Sequence, residues 1–212
     1  MQLEKDKTLL FIGDSITDCG RSRPIGEGNG LGSGYVHLIH ALLESQYPEL
    51  NLRTLNMGVN GNRVSNLQER WDEDVVIQEP DYISILIGIN DVWRQFDNPS
   101  ALMQVTIDIY ERSLVKLVEQ AVARSERVFL MSPFYLEENT EEPMRKKMDE
   151  YGRVVEKIAG EYNLMFIDIQ KNFDSYLEKR ATQTLSPDRV HPNVTGHMII
   201  AKAFLDKIDF EW

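Results

Sequence analysis

The stretch Leu9-Leu10-Phe11-Ile12-Gly13-Asp14-Ser15-Ile16-Thr17 sets the reading of the whole chain. Four consecutive apolar residues run directly into Gly-Asp-Ser, with Asp18 and Gly20 close behind. A short apolar run bounded by turn residues reads as a buried strand ending in a turn. In an open parallel sheet, ligands gather at the carboxyl ends of the strands, so Ser15 is expected on a turn at a strand tip facing a cleft. The tripeptide alone also fits an ordinary polar turn; the rest of the chain decides between the two.

Further downstream, segments with strand character alternate with segments of helical spacing. Tyr35 to Tyr47 carries apolar residues at helical intervals and is closed by Pro48. Asn51 to Met57 reads as a second strand, ending in the glycine turn Gly58-Val59-Asn60-Gly61-Asn62-Arg63. Leu67, Trp71 and Val75 mark a helix that stops near Pro80. Asp81 to Gly88 is nearly continuous in apolar and β-branched residues, as suits a strand covered on both faces, and ends in the polar turn Gly88-Ile89-Asn90-Asp91. A helix from Ala101 to Ala123, a strand from Arg127 to Met131, a helix from Pro143 to Tyr162 and a strand from Leu164 to Asp168 follow. A short helix is expected over Asn172 to Lys179, and a last one, capped by Asn193, closes the chain. Such alternation predicts a parallel sheet with helices on both faces and right-handed crossovers, in one domain spanning residues 1–212.

Composition narrows the function classes. The 212 residues are 42% hydrophobic and 27% charged, enough for one sizeable core. A net charge of -11 argues against nucleic acid and anionic membrane as partners. No apolar run approaches a membrane span, the charged start resembles no signal peptide, and Cys19 is the only cysteine. A cytoplasmic location is the expectation.

On adjacent parallel strands the polar turns at Ser15, Gly61 and Asn90 fall side by side at one rim. Near the C-terminus, Ser186-Pro187-Asp188-Arg189-Val190-His191-Pro192 offers an acid and an imidazole three residues apart. Pro192 disfavours helical geometry at His191, so the pair lies on an extended loop able to reach the rim. Acyl transfer needs these types: a hydroxyl, a base to take its proton, and a carboxylate to orient that base. The N–H groups of Ser15 and Gly61 and the Asn90 amide are candidate donors to the oxyanion.

In order and spacing, Gly13-Asp14-Ser15, Gly61, Gly88-Ile89-Asn90-Asp91 and Asp188-Arg189-Val190-His191 resemble the motif blocks of the GDSL (SGNH) hydrolases across essentially the whole chain. The resemblance implies a three-layer α/β/α sandwich with a flavodoxin-like, five-stranded parallel sheet of order 2-1-3-4-5. It implies Ser15 as nucleophile, His191 as base, Asp188 as its partner, and the same oxyanion hole. The wider context, Phe11 to Arg21, Ile87 to Gln95 and Asp188 to Pro192, is similar to intracellular bacterial acetyl-xylan and xylo-oligosaccharide esterases. Two positions depart from the pattern: Ile16 replaces the leucine that names the motif, and Arg63 stands where many members carry a small hydroxyl residue.

Trp93, Arg94 and Arg63 are candidates for lining the acyl or sugar pocket, with packing as the alternative for Trp93. Asp14 and Asp91 are expected to hold their turns through side-chain to backbone bonds. Cys19 reads as a free thiol, His37, His40 and His197 as packing or surface residues, and Glu69 to Asp74 as a solvated helix face. No spacing suggests a metal or cofactor. The compact turn from Asn90 to Trp93 favours a short acyl group, so an acetylated small molecule or oligosaccharide is the expected substrate. A lysophospholipase or thioesterase is the alternative chemistry, and a non-catalytic carbohydrate-binding module the alternative class. Phe210 and Trp212, at the C-terminus, either fold back on the domain or anchor a second copy of the chain.

Overall fold

β1 (Thr8–Gly13) lies in the interior, with Leu9, Leu10, Phe11 and Ile12 all fully buried. Its register to β3 (Arg53–Gly58) and to β4 (Tyr82–Leu86) is parallel on both sides. β5 (Arg127–Met131) and β6 (Met165–Ile167) continue the parallel set beyond β4. The computed structural model describes residues 2–97 and 104–212.

Helices cover both faces. α2 (Tyr35–Gln46) packs on α8 (Val194–Lys207), which also meets α7 (Ile169–Leu177), on one side. α3 (Val64–Trp71), α5 (Ile107–Val122) and α6 (Pro143–Glu161) pack in series on the other. Alternate residues of a strand point to opposite faces. Phe11 accordingly meets Tyr35 of α2 and Phe204 of α8, with ring centroids 5.7 and 5.2 Å away. Burying one such side chain stabilises the fold by roughly 1.5–3 kcal/mol.

The fold class matches the expectation, and four details differ. First, the sheet has six strands, because the glycine-rich segment Arg21 to Gly34 contributes β2 (Gly26–Glu27), antiparallel to β3 at the edge. The five parallel strands keep the expected order around it. Second, Ile89–Asp97 is a helix, α4, where a polar turn was expected. Ile89, Val92, Trp93 and Phe96 recur at helical intervals, and burial of Ile89 and Val92 favours the helix over a turn. Third, α3 runs on through a single π-helical turn, Asp72–Val76. Fourth, the expected helix from Ala101 to Ala123 begins at Ile107, and residues 101–103 lie outside the described residues.

Asn56, fully buried on β3, ties the β2 segment to the sheet. Its Nδ2 donates to the carbonyls of Thr17 at 2.7 Å and Leu31 at 2.9 Å, and its Oδ1 accepts from the Gly58 N–H at 2.9 Å. Each buried group left without a partner costs about 1–3 kcal/mol. Asn56→Ala is therefore expected to lower stability by roughly 3 kcal/mol or more in urea denaturation. A loss below about 0.5 kcal/mol, the ordinary size of a surface substitution, would contradict that role.

Candidate active site

The nucleophile candidate sits at the first turn after β1. Gly13 closes the strand because nothing larger fits: a Cβ there would stand 2.4 Å from the Leu86 carbonyl and 2.3 Å from Thr17 Oγ1. Asp14 caps α1 (Ser15–Asp18), its Oδ1 accepting from the Ile16 N–H at 3.0 Å. Ser15 is thereby presented at the N-terminus of a short helical turn, at the rim of the sheet. At the other end of that turn, the Cys19 N–H donates to the Ser15 carbonyl at 3.1 Å.

From the far end of the chain, the loop before α8 brings His191 to the same place. Ser15 Oγ lies 3.0 Å from His191 Nε2, and His191 Nδ1 lies 2.7 Å from Asp188 Oδ2. Asp188 Oδ1 accepts from the N–H groups of Val190 (2.9 Å) and His191 (2.8 Å) and from Ser186 Oγ (2.9 Å). Partial burial alone would raise the Asp188 carboxyl, but the bonds from His191, Val190 and Ser186 outweigh it and hold the group well below the usual carboxylate range. An ionised Asp188 accepts the Nδ1 proton, which leaves Nε2 as the lone-pair nitrogen facing Ser15.

Gly61 and Asn90 complete the rim. Gly61 adopts φ +76°, a left-handed conformation that glycine enters without strain. Asn90 is buried in the first turn of α4, and one Nδ2 proton goes to the Asn62 carbonyl at 3.1 Å. An amide has two such protons, so one remains for a ligand. Trp93, also on α4, stands edge-on to the His191 ring, with centroids 6.1 Å apart. Arg94 folds over the Trp93 ring at 4.9 Å and pairs with Asp97. Arg63 occupies the N-cap position of α3, two residues after Gly61, and its charge reaches Asp91. The rim thus gathers Ser15, His191, Asp188, Gly61, Asn90 and Trp93. Arg94 is turned toward Trp93 and Asp97, and the backbone N–H of Arg63, at the start of α3, donates to Asn66 Oδ1 at 3.0 Å.

Residues 11–199 match the GDSL-like Lipase/Acylhydrolase family. The chain belongs to it. Along its full length it is 51% identical to an acetylxylan esterase of Geobacillus stearothermophilus, and it covers 98% of that relative. The crystal structure of that esterase superimposes with a TM-score of 0.98, covering 100% of this chain and 98% of the other. Solved variants of it described as catalytic mutants replace a serine, an aspartate and a histidine by alanine. An alpha/beta hydrolase enzyme from the metagenome of Lake Arreo, Spain, is also similar, at 41% identity and a TM-score of 0.96 over 99% of this chain and 98% of that one.

Some features of this family member are absent from the sequence reading. Ser186 is buried beside Asp188, a role that its place in the loop sequence does not signal. Asp74 is not part of a solvated face: it is largely covered and pairs with Arg70, which bonds to the strand ends beneath the rim. Arg70 lies three residues after the buried Leu67, so its place beside the helix's apolar stripe was the available signal. Asp14 holds its own turn as expected, while Asp91 reaches across to another element and accepts from the Val64 N–H at 3.1 Å. Cys19 Sγ lies 3.1 Å from His197 Nε2, and burial pushes its thiol up to about 11, which leaves it protonated and unreactive.

Burial also pushes the carboxyls of Asp14 and Asp91 up to about 7 each, against opposing bonds from Ile16 and Val64. Asp14 Oδ2 has no hydrogen-bond partner among the described residues. In the unfolded chain such groups titrate near ~3.9. The folded state therefore holds extra protons between about pH 4 and 7, so this contribution to stability is full below that window and is lost as pH rises through it. Asp188 acts oppositely, its contribution disappearing only as pH falls below about 4. Asp14→Asn is expected to shrink the gap between urea midpoints measured at pH 5 and pH 8. An unchanged gap would refute the buried-carboxyl account.

Proposed function

We propose that this protein is a serine esterase that removes acetyl groups from xylo-oligosaccharides through an acetyl-Ser15 intermediate, and that residues 1–212 form one catalytic domain. The observation that carries the reading is the continuous relay from Ser15 Oγ through His191 to Asp188. The 51% identity to an acetylxylan esterase supports the acetyl and xylan parts.

In this mechanism His191 Nε2 takes the Ser15 proton as Oγ attacks the ester carbonyl carbon. The carbonyl oxygen becomes an oxyanion, held by the N–H groups of Ser15 and Gly61 and by the free Asn90 Nδ2 proton. Collapse breaks the bond to the sugar oxygen, which receives the proton from His191. A water molecule then attacks the acetyl carbonyl, giving its proton to His191, and acetate leaves as Ser15 recovers its own. Asp188 stays ionised throughout and steadies the imidazolium. Trp93 walls the pocket beside His191, and Arg63 and Arg94 border the rim where the sugar lies. No cofactor takes part.

A cytoplasmic setting fits a chain whose only cysteine is Cys19. Among the described residues, no helix is long and apolar enough to cross a membrane. Self-association through the C-terminus is part of the proposal, with a change of anchor. Phe210 is buried against Tyr47 of its own chain, at 5.5 Å, and Trp212 folds back on Phe210 and donates from Nε1 to Asp206 at 2.7 Å, so the outer face of Trp212, which is 60% exposed, is what a second copy would meet. Trp212→Ser is expected to lower the mass read by light scattering while activity per chain survives. An unchanged mass, or a monomeric parent protein, would remove the interface role.

A series of p-nitrophenyl esters followed by acetylated xylo-oligosaccharides tests the reaction. Acetate is expected to be the best acyl group, with rates falling sharply by butyrate, and Ser15→Ala to keep the fold but lose several orders of magnitude in turnover. Faster cleavage of octanoate than acetate would favour a lipase-like enzyme. Absence of hydrolysis by the parent protein would favour a carbohydrate-binding module.

A further inference from the structure

Arg70 is a largely covered arginine beneath the rim, its side chain 15% exposed. Its Nη2 donates to the carbonyl of Gly13, the last residue of β1, at 3.1 Å. Its Nη1 donates to the carbonyl of Met57 on β3 at 2.8 Å and also pairs with Asp74. Its Nε donates to Asn62 Oδ1 at 2.7 Å. Three of these four acceptors, the Gly13 and Met57 carbonyls and Asn62 Oδ1, belong to the elements that carry the site. Gly13 lies two residues before Ser15, and Asn62 directly follows Gly61. Asn62 also passes the connection on, because its carbonyl accepts from Asn90 Nδ2 at 3.1 Å.

We infer that Arg70 is a positioning residue for the proposed oxyanion hole, setting the distance between Ser15 and the Gly61 and Asn90 donors through Asn62. A single planar guanidinium reaches both strand ends and the glycine turn, so the turns cannot shift independently. Three divergent acceptors need a rigid fork of donors, which arginine has and lysine lacks. The direction of the effect follows from the chemistry. The hole acts on charge that develops only during reaction, so moving its donors weakens the transition state more than the bound ester. The inference rests on the reading of Asn90 as an oxyanion donor.

The test is a double-substitution cycle on p-nitrophenyl acetate hydrolysis, with folding checked by circular dichroism. Arg70→Met is expected to lower kcat by about 10- to 100-fold, as small misplacements of catalytic groups do, with KM little changed. Arg70→Lys is expected to recover little of that loss. Asn90→Ala alone should lower kcat by about 10²–10³-fold. Introduced into Arg70→Met it should cost distinctly less, because the donor it removes is already misplaced. Should Arg70→Met fail to fold, Asn62→Ala takes its place in the cycle with the same expected coupling. Independent effects of the two substitutions, or a kcat retained per folded molecule, would overturn the inference while leaving Asn90 as a donor. A normal kcat in Asn90→Ala would overturn the reading of the hole and this inference with it.

Discussion

The site depends on a 3.0 Å contact between Ser15 and His191, two side chains 176 residues apart in the chain. Nothing local can hold such a distance; packing on both sides of it must. Phe11, four residues before the serine, is wedged against Phe204 of α8, and α8 begins just after the histidine loop. His197 on α8 accepts the Tyr35 N–H through Nδ1, at 3.2 Å, which joins the start of α2 to the start of α8. The loop itself is pinned by the bond from the Leu136 N–H to the Arg189 carbonyl and by that from the Asn193 N–H to the Leu185 carbonyl. The hydrophobic core thus serves as the positioning frame of the chemistry, and a shift of about 1 Å in it can cost as much as 10²-fold in rate.

The site is also built over charge that has been taken out of water. Asp14 and Asp91 are both almost fully buried, and each ionised carboxylate disfavours ionisation of its neighbour. Arg70 supplies compensating charge on one side and Arg63 on the other. These carboxyls accept N–H groups at the starts of α1 and α3, the two turns that follow the serine and Gly61. Their burial opposes stability near neutral pH, yet their bonds orient the backbone of the two turns.

Much of this architecture could be read in the sequence. Buried parallel strands are nearly continuous apolar runs, so Leu9 to Ile12, Asp81 to Gly88 and Arg127 to Met131 were legible, and Ser15 and Asn90 come within three residues of the ends of the first two. Asn193 marked the start of α8 because its side chain accepts from the Thr195 and Gly196 N–H groups, a signal that is local by nature. What escaped has a common physical cause. β2 is two residues long and exists through pairing with β3 and the grip of Asn56 and Arg21, so it has no period of its own. Arg70 and Asp74 sit in a charged run whose direction depends on helix phase and on the π-helical turn. Asp91 chose a partner 27 residues away over one in its own turn.

The two borders of the sheet carry a further consequence. One is occupied by β2, of two residues, and the other by β6, of three. Strands that short offer almost no free N–H and C=O ladder on which another chain could be added. The antiparallel β2 also covers Leu55 and Asn56 of β3, with the exposed ion pair of Glu27 and Arg53 beside it. The fold therefore resists edge-to-edge aggregation, even though its central strands are the kind of apolar, β-rich segments that drive it once exposed. Loosening the glycine-rich segment around β2 would uncover part of β3 and, through Asn56, which bonds both Leu31 and Thr17, would loosen the turn that carries Ser15 as well.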